Sequence, residues 1–324
     1  MQIRIIKPYN TKGLDADANI FKSVLEKINN NYNIIISSEN DKINEIDDVH
    51  IYVSNTNKNI LKFAKIKMFM INHELFMQKE EDKFVLHEID YILARNQIGF
   101  DWATNLKEKY NFKYSIILIK FTTNFPVIKT EKIWNAFLHS AGEHHWKQTD
   151  SIIKCWLNHP ELPLITITCV EQCYRNIKNI LGDKKPSNIL LYNYLLPYNK
   201  YVEIKNRIGI HLCPSIVEGF GHYINEGRKV KSLVITSNLA PMNELINKNS
   251  GILIDCDKIE KKRNGADLCI INEETLYTEI KKVIDINLED KWKLIEKGYV
   301  DYLNDTKYFE DSMKILFNSL LINK

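Results

Sequence analysis

The sequence of 324 residues contains little glycine and little proline, 11 and 8 residues respectively. This scarcity excludes collagen-like repeats and Gly- or Pro-rich disorder. Long apolar runs are also missing, since no segment approaches the roughly 18 apolar residues that span a bilayer. The start, residues 1–10, has no signal-peptide pattern. We therefore expect no transmembrane segment and a cytoplasmic protein.

The chain has no large excess of charge of one sign, because 44 Lys and Arg face 41 Asp and Glu and give a formal net charge of +3. A nucleic-acid-binding protein usually shows a dense basic face, so no nucleic-acid partner is expected. The basic run Lys258, Lys261, Lys262 and Arg263 is interrupted by acidic residues. We interpret it as a solvated loop, with peripheral contact to an anionic membrane left open.

The first cysteine is residue 155, and the six cysteines from there on lack the regular spacing of a disulfide framework. This pattern favours thiols in a reducing compartment. His144 and His145 with Cys155, and the spacing of Cys169 and Cys173, are not matched by a second pair with metal-ligand spacing. We therefore predict no metal site.

Short β-branched runs alternate with longer amphipathic segments over the first third of the chain. Such alternation is typical of β-α-β units around a parallel sheet. The runs are nearly all apolar, as expected when helices cover both faces of the sheet. These predicted strands lie at 2–6, 33–37, 50–54, 67–71, 90–94 and 114–121.

A loop at 122–132 has no periodicity and contains Pro126, which places a domain boundary there. A second series of predicted strands follows, at 137–142, 164–169, 188–192, 209–214, 232–237 and 251–255. Only helical patterns, at 273–300 and 308–322, come after it. We predict an α/β protein of two Rossmann-like doubly wound domains, 1–125 and 126–305, with a last helix, 306–324, that crosses back to the first domain.

One loop after a predicted strand has features of a ligand site. Glu218, Gly219, Phe220 and Gly221 open a predicted helix that carries Glu226. Ligands of parallel α/β sheets bind at the carboxyl ends of strands, glycines let the backbone approach an anion, and a helix N-terminus favours phosphate. The two carboxylates can accept hydrogen bonds from sugar hydroxyls. The alternative is that one Glu caps the helix and the other is solvated.

The surrounding residues resemble the donor site of the family 4 retaining glycosyltransferases, which have the GT-B fold. The resemblance consists of the string PSIVEGFG at 214–221, the gap of seven residues between the two Glu, the strand at 232–237 and the string NLAPMNE at 238–244. Upstream, the run 137–142 and then Lys147, Thr149 and Asp150 resemble a "G…KGTD" segment of one branch of these enzymes. The resemblance implies two Rossmann-like domains with an interdomain cleft.

It also implies a hexosyltransferase that moves a sugar from a UDP- or GDP-sugar to an acceptor hydroxyl with retention, without a metal or another cofactor. Lys147 would neutralise the pyrophosphate, and Glu226 would hold the ribose hydroxyls. Glu218 would face the transferred sugar beside the backbone of 219–221. The acceptor, whether glycan, lipid or protein, is not specified. The alternatives are a catalytically degenerate sugar-nucleotide-binding protein and a sugar-nucleotide epimerase of the same fold.

The first domain resembles the same branch more weakly. Gly13 stands where relatives often have a Gly-Gly pair and would line the cleft beside the donor. His73 follows the fourth predicted strand, where some relatives place a His that contacts the donor sugar; a loop His is the alternative, and Glu74 could face the acceptor instead. Residues 15–17 imitate the DxD metal motif, but acidic residues at a helix start complement the dipole. We interpret these two Asp as structural or acceptor-facing.

Three positions depart from the family pattern. Glu143 stands near a position where Arg or Lys is usual, Gln148 replaces a common Gly, and Gly227 replaces a usual Ala. The departures predict fewer pyrophosphate contacts and favour the degenerate alternative. Arg228, which follows Gly227, is interpreted as a surface residue of its helix.

Overall fold

The chain divides into two compact units. The computed structural model describes residues 1–9, 12–54, 58–76, 81–142, 145–262 and 264–322. The first unit comprises Met1–Asn124 and Leu303–Lys324, and the second comprises Phe125–Tyr302. The boundaries predicted from the sequence lie after residues 125 and 305. Each unit is built around a parallel sheet of six strands, as the alternation of apolar and amphipathic segments predicted.

The first unit has the strand order β2-β1-β3-β4-β5-β6. Its strands are β1 (Gln2–Lys7), β2 (Asn33–Ser38), β3 (Asp47–Val53), β4 (Ala64–Met70), β5 (Tyr91–Ala94) and β6 (Ser115–Leu118). The helices between them are α1 (Lys12–Ile28), α2 (Lys58–Leu61), α3 (Glu81–Glu88) and α4 (Gln97–Tyr110). Ile3, Ile5 and Ile51 are fully buried, because helices cover both faces of the sheet.

The second unit has the strand order β12-β11-β10-β7-β8-β9. Its strands are β7 (Ile133–Gly142), β8 (Leu164–Cys169), β9 (Ile189–Leu191), β10 (Ile208–Cys213), β11 (Leu233–Ser237) and β12 (Ile252–Ile254). Its helices are a 3₁₀ turn (His145–Lys147), α5 (Thr149–Asn158), α6 (Glu171–Leu181), α7 (Tyr198–Arg207), α8 (His222–Lys229), α9 (Met242–Leu245) and α10 (Glu273–Asp285). Strands β7 and β10 pair directly in parallel. The loops that follow these two strands therefore emerge side by side at the carboxyl edge of the sheet.

The chain ends in the long helix α11 (Leu288–Ile322), whose residues belong to both units. The predicted helical pattern at 273–300 is in fact interrupted, because the Asn287 side chain accepts a hydrogen bond from the Asp290 amide at 2.9 Å and caps the start of α11. None of the helices in the described residues is long and apolar enough to cross a bilayer.

An antiparallel hairpin of β13 (Lys258–Lys261) and β14 (Asp267–Ile270) follows β12, so the predicted solvated loop at 258–263 is wrong for its first four residues. The strand Lys258–Lys261 is exposed throughout and has no apolar face to mark it in the sequence. A disulfide joins Cys256 and Cys269. The prediction of thiols is therefore wrong for this pair, which only the hairpin brings together.

A buried ionic cluster lies at the amino ends of β1 and β3 in the first unit. Asp47 is fully buried and accepts hydrogen bonds from Arg4 Nε at 2.5 Å, from His50 Nε2 at 2.8 Å and from the Gln2 side chain. Burial alone would raise the pKa of Asp47, but the hydrogen bonds from Arg4, His50 and Gln2 hold it below its ordinary value of 3.8. The carboxylate is therefore charged in the folded protein.

We expect Asp47→Ala to lower the free energy of unfolding by about 3–5 kcal/mol, because Arg4 keeps a buried charge without its counterion. Asp101→Ala is the matched control; Asp101 is exposed on α4 and accepts a hydrogen bond from the Gln97 side chain, so its loss should cost no more than about 1 kcal/mol. Since the pKa of Asp47 is lowered by folding, its contribution is present at neutral pH and is lost as the pH falls below about 3.8. Chemical denaturation measures both variants, and equal free energies of unfolding would contradict the role of Asp47 as the counterion of Arg4.

Candidate functional site

The loop after β10 turns sharply into α8, as the sequence predicted. Gly221 has φ of +88°, the left-handed region that favours glycine, and is the residue that precedes the helix. A Cβ at this position would also lie 3.1 Å from Ile224 Cδ1 and 3.3 Å from Leu245 Cδ1. Phe220, which precedes Gly221, is buried. The N-terminus of α8 therefore stands at the carboxyl edge of the sheet.

Lys147 and Glu218 meet at this helix start. Lys147, in the 3₁₀ turn after β7, places Nζ 3.1 Å from Glu218 Oε1 and 3.3 Å from the centroid of the Tyr223 ring. Ser215 Oγ donates to the same Glu218 oxygen at 2.5 Å and lies 2.5 Å from the Tyr223 hydroxyl. The structure thus brings together two residues that were predicted from distant parts of the sequence.

Gln148, one of the three departures, has a left-handed backbone. Its φ is +51°, in the region that favours glycine. Its side-chain Nε2 donates a hydrogen bond to the Pro214 carbonyl at 3.0 Å, and its side-chain Oε1 accepts one from the backbone N–H of Ile271 at 2.7 Å. These two hydrogen bonds offset the strain and tie the Lys147 turn to the loop after β10.

His139 contacts the residue that follows Gln148. It is fully buried in β7, with Nδ1 2.9 Å from the Leu212 carbonyl and Nε2 2.9 Å from Thr149 Oγ1. Burial lowers the pKa of His139 to about 4, so the ring is neutral and can donate to the carbonyl and accept from the hydroxyl. The histidine therefore fixes the start of α5, immediately after Gln148.

Glu226 forms an ion pair that the sequence did not indicate. Its Oε2 accepts a hydrogen bond from Nζ of Lys205, the eighth residue of α7, and this lysine is almost completely buried. Burial alone would raise the pKa of Glu226, but the Lys205 ammonium holds it below its ordinary value. The second carboxylate of the predicted pair is thus charged and fixed in place. In the sequence Lys205 is marked only by its spacing of four residues from Tyr201. A lysine four residues after a tyrosine is too common to indicate a site.

The two residues after Glu226 are buried, and the interpretation of Arg228 as a surface residue is wrong. A Cβ at Gly227 would lie 2.7 Å from Val234 Cγ2 and 3.0 Å from His211 Nδ1, so α8 approaches β10 and β11 too closely for an alanine. Arg228 is 2% exposed; its Nε donates to the Gly298 carbonyl at 3.2 Å and its Nη1 to Asn225 Oδ1 at 2.7 Å. The side chain joins α8 to α11.

The remaining predicted residues belong to the first unit. Gly13 lies in the first turn of α1, and nothing in its surroundings or backbone requires glycine there. Asp15 pairs with Lys7 at 2.6 Å. Asp17 is buried and lies 3.1 Å from Arg95 Nη1.

His73 is also buried, in the turn after β4, with Nδ1 3.7 Å from Glu74 Oε2. Its proposed contact with a sugar stays a prediction. Glu143, one of the three departures, lies outside the described residues, as does His144.

A metal centre is not formed by the His, Cys, Asp and Glu side chains of the described residues, which contain no group of three close enough to hold an ion. Cys169 and Cys173 lie beside each other, and a hydrogen bond between their side chains together with burial raises the pKa of Cys169. The candidate site itself contains the Lys147 ammonium, the Glu218 carboxylate and the Ser215 hydroxyl.

The fold is that of known glycosyltransferases. Neither a family model nor a curated protein matches the sequence. A glycosyltransferase from Rickettsia africae aligns with a TM-score of 0.74 and 15% identity over 100% of this chain and 99% of that one. Sucrose-phosphate synthase from Thermosynechococcus elongatus aligns with 0.71 and 11% over 100% of both chains. HepE from Anabaena, in complex with UDP and glucose, aligns with 0.68 and 10% over 98% and 100%.

These structures confirm the predicted GT-B fold. At 10–15% identity they establish the architecture of the chain, while its chemistry has to be argued from its own residues.

We expect Arg228→Ala to lower the free energy of unfolding by roughly 2–4 kcal/mol, because it removes the hydrogen bonds of a buried charged group to Gly298 and Asn225 and leaves a cavity. Lys231→Ala is the matched control, since Lys231 pairs with Glu296 on the surface and should cost less than about 1 kcal/mol. Chemical denaturation measures both. If Arg228→Ala lowers the free energy of unfolding no more than the control does, Arg228 is not the buried, hydrogen-bonded residue described above.

Proposed function

We propose that this protein is a retaining glycosyltransferase that transfers a hexose from a UDP- or GDP-sugar to an acceptor hydroxyl. The observation that carries the proposal is the convergence of Lys147, Glu218 and the Gly221 start of α8 at one point of the carboxyl edge of the second sheet. A cation and a helix N-terminus at one point form a site for a diphosphate, and the carboxylate beside them can accept from sugar hydroxyls.

In this proposal the second unit performs the chemistry on the donor. The nucleoside diphosphate leaves as its bond to the sugar breaks, and negative charge develops on the phosphate oxygen that leaves. Lys147 and the first N–H groups of α8 stabilise that charge, while Glu226 holds the ribose. Glu218 orients the hexose. The oxygen of the acceptor hydroxyl bonds to the anomeric carbon from the face that the leaving phosphate occupied, which retains the configuration, and the hydroxyl proton passes to the leaving phosphate oxygen. The first unit is assigned to the acceptor, with Glu74 facing it, and His73 donates a hydrogen bond to the transferred sugar or to the acceptor hydroxyl.

Two of the three departures from the family pattern, Gln148 and Gly227, do not favour a degenerate protein once their surroundings are known; the third, Glu143, lies outside the described residues. Gln148 replaces glycine with two compensating hydrogen bonds, and Gly227 is required by the close approach of α8 to the sheet. Neither change removes a group from the Lys147 and Glu218 cluster. We therefore favour an active enzyme over a pure sugar-nucleotide-binding protein.

The proposal is tested by incubating the protein with UDP- and GDP-hexoses without acceptor and measuring the release of UDP or GDP. A transferase releases nucleoside diphosphate slowly by transfer to water, whereas a pure binding protein releases none. An epimerase would be recognised because it returns a nucleotide sugar with altered configuration.

Lys147→Ala should lower the rate of this release by about 10²–10³, because the lysine contacts charge that develops in the transition state. Donor binding should weaken less than turnover. Lys154→Ala, an exposed lysine of α5, is the matched control and should retain the wild-type rate. Turnover of Lys147→Ala within a factor of three of wild type would exclude Lys147 from the site.

We also expect the release of nucleoside diphosphate to survive treatment with EDTA. The ammonium group of Lys147 and the dipole of α8 supply positive charge at the diphosphate, and Asp15 and Asp17 are each paired with a cationic side chain. The rates before and after chelation are compared by the same assay. Complete loss of activity that manganese restores would show that a metal ion is required.

A further inference from the structure

The ion pair between Lys205 and Glu226 is asymmetric. The Lys205 side chain is 1% exposed, whereas that of Glu226 is 16% exposed. Lys205 Nζ donates its hydrogen bond to one of the two carboxylate oxygens, Oε2. Within the described part of the chain, Oε1 of Glu226 makes no hydrogen bond, so one oxygen is anchored from below and the other remains available to a ligand.

Lys205 is itself held in a rigid setting. Its Nζ lies 5.3 Å from the ring centroids of both Phe125 and Tyr201 and donates to the Tyr201 hydroxyl at 3.3 Å. Its backbone carbonyl lies 3.1 Å from Nε2 of the buried His211 in β10, which ties the end of α7 to the sheet. The ammonium therefore has little freedom to move away from Glu226.

A buried ion pair is poor evidence for stability alone, because an apolar pair of similar volume often serves the fold as well. The fixed Lys205 ammonium instead leaves one oxygen of Glu226 exposed. This arrangement suits a carboxylate that accepts hydrogen bonds from a ligand. Such an acceptor has to stay ionised and keep one orientation.

We propose that Lys205 is a positioning residue for donor recognition: it holds Glu226 ionised and directs Oε1 toward the ribose hydroxyls of the nucleotide. The inference rests on the proposed function and adds that the site selects ribonucleotide over deoxyribonucleotide donors through this pair. Burial alone would lower the pKa of Lys205, but the Glu226 carboxylate raises it, so the lysine keeps its charge.

Isothermal titration with UDP and GDP and with their 2′-deoxy and 3′-deoxy counterparts tests the inference. For the nucleotide that binds, the wild type should lose at least about tenfold in affinity when a hydroxyl held by Glu226 is absent. In Lys205→Met this ratio should fall to less than about threefold, as in Glu226→Gln. A purely structural role would weaken all of the nucleotides equally and leave the ratio unchanged.

Lys200→Met is the matched control, since Lys200 lies on the same helix and pairs with Glu203 at the surface. It should keep the wild-type ratio. Lys205→Gln, which retains a hydrogen-bond donor and lacks the charge, replaces Lys205→Met if the latter does not fold, and its ratio should fall as well.

The outcomes separate the two proposals. Binding of neither UDP nor GDP to the wild type would overturn the proposed function and this inference together. Binding without preference for the ribose hydroxyls, or an unchanged ratio in the Lys205 variants, would overturn the inference alone and leave the glycosyltransferase proposal standing.

Discussion

The close approach of α8 to the second sheet is the constraint on which the candidate site depends. Gly227 provides it, because a Cβ there would collide with Val234 and His211. Successive residues of a helix are turned by about 100°, so fixing one of them fixes the directions of its neighbours. Glu226 consequently meets Lys205 of α7, and Arg228 on the other side meets the Gly298 carbonyl of α11. Three consecutive residues thus take part in the proposed ligand site, a helix–sheet contact and a helix–helix contact.

Much of the fold follows from local pattern, because strands buried on both faces must be apolar along their whole length. The run 164–169 predicts β8 to the residue, and the other predicted strands differ from the observed ones mainly at their ends. The hairpin at 258–270 could not be predicted in this way. Its first strand is fully exposed, so no burial constrains its composition, and its pairing is set by contacts rather than by hydrophobicity.

The candidate site was predictable where chemistry and backbone geometry coincide in a short segment. Glu218 and Gly221 belong to this class, since a left-handed turn before a helix restricts the residue type. Lys205 and the hydrogen bonds of Gln148 could not be predicted in this way. Their functions arise from partners 21 and 66 residues away, and no spacing in the sequence encodes such contacts. The interpretation of Arg228 failed for the same reason, because its partner carbonyl lies on a different helix.

The charges of the site are arranged so that no group is left uncompensated before a ligand binds. Lys147 is neutralised by Glu218 and lies on the Tyr223 ring, and Lys205 is neutralised by Glu226. The pair of Lys147 is partly open to solvent, with 16% and 17% of the two side chains exposed, whereas Lys205 is closed off. In the proposed reaction a diphosphate can therefore compete for Lys147 but not for Lys205. The first lysine is suited to meet charge that changes during a reaction, and the second to hold a carboxylate that must not change.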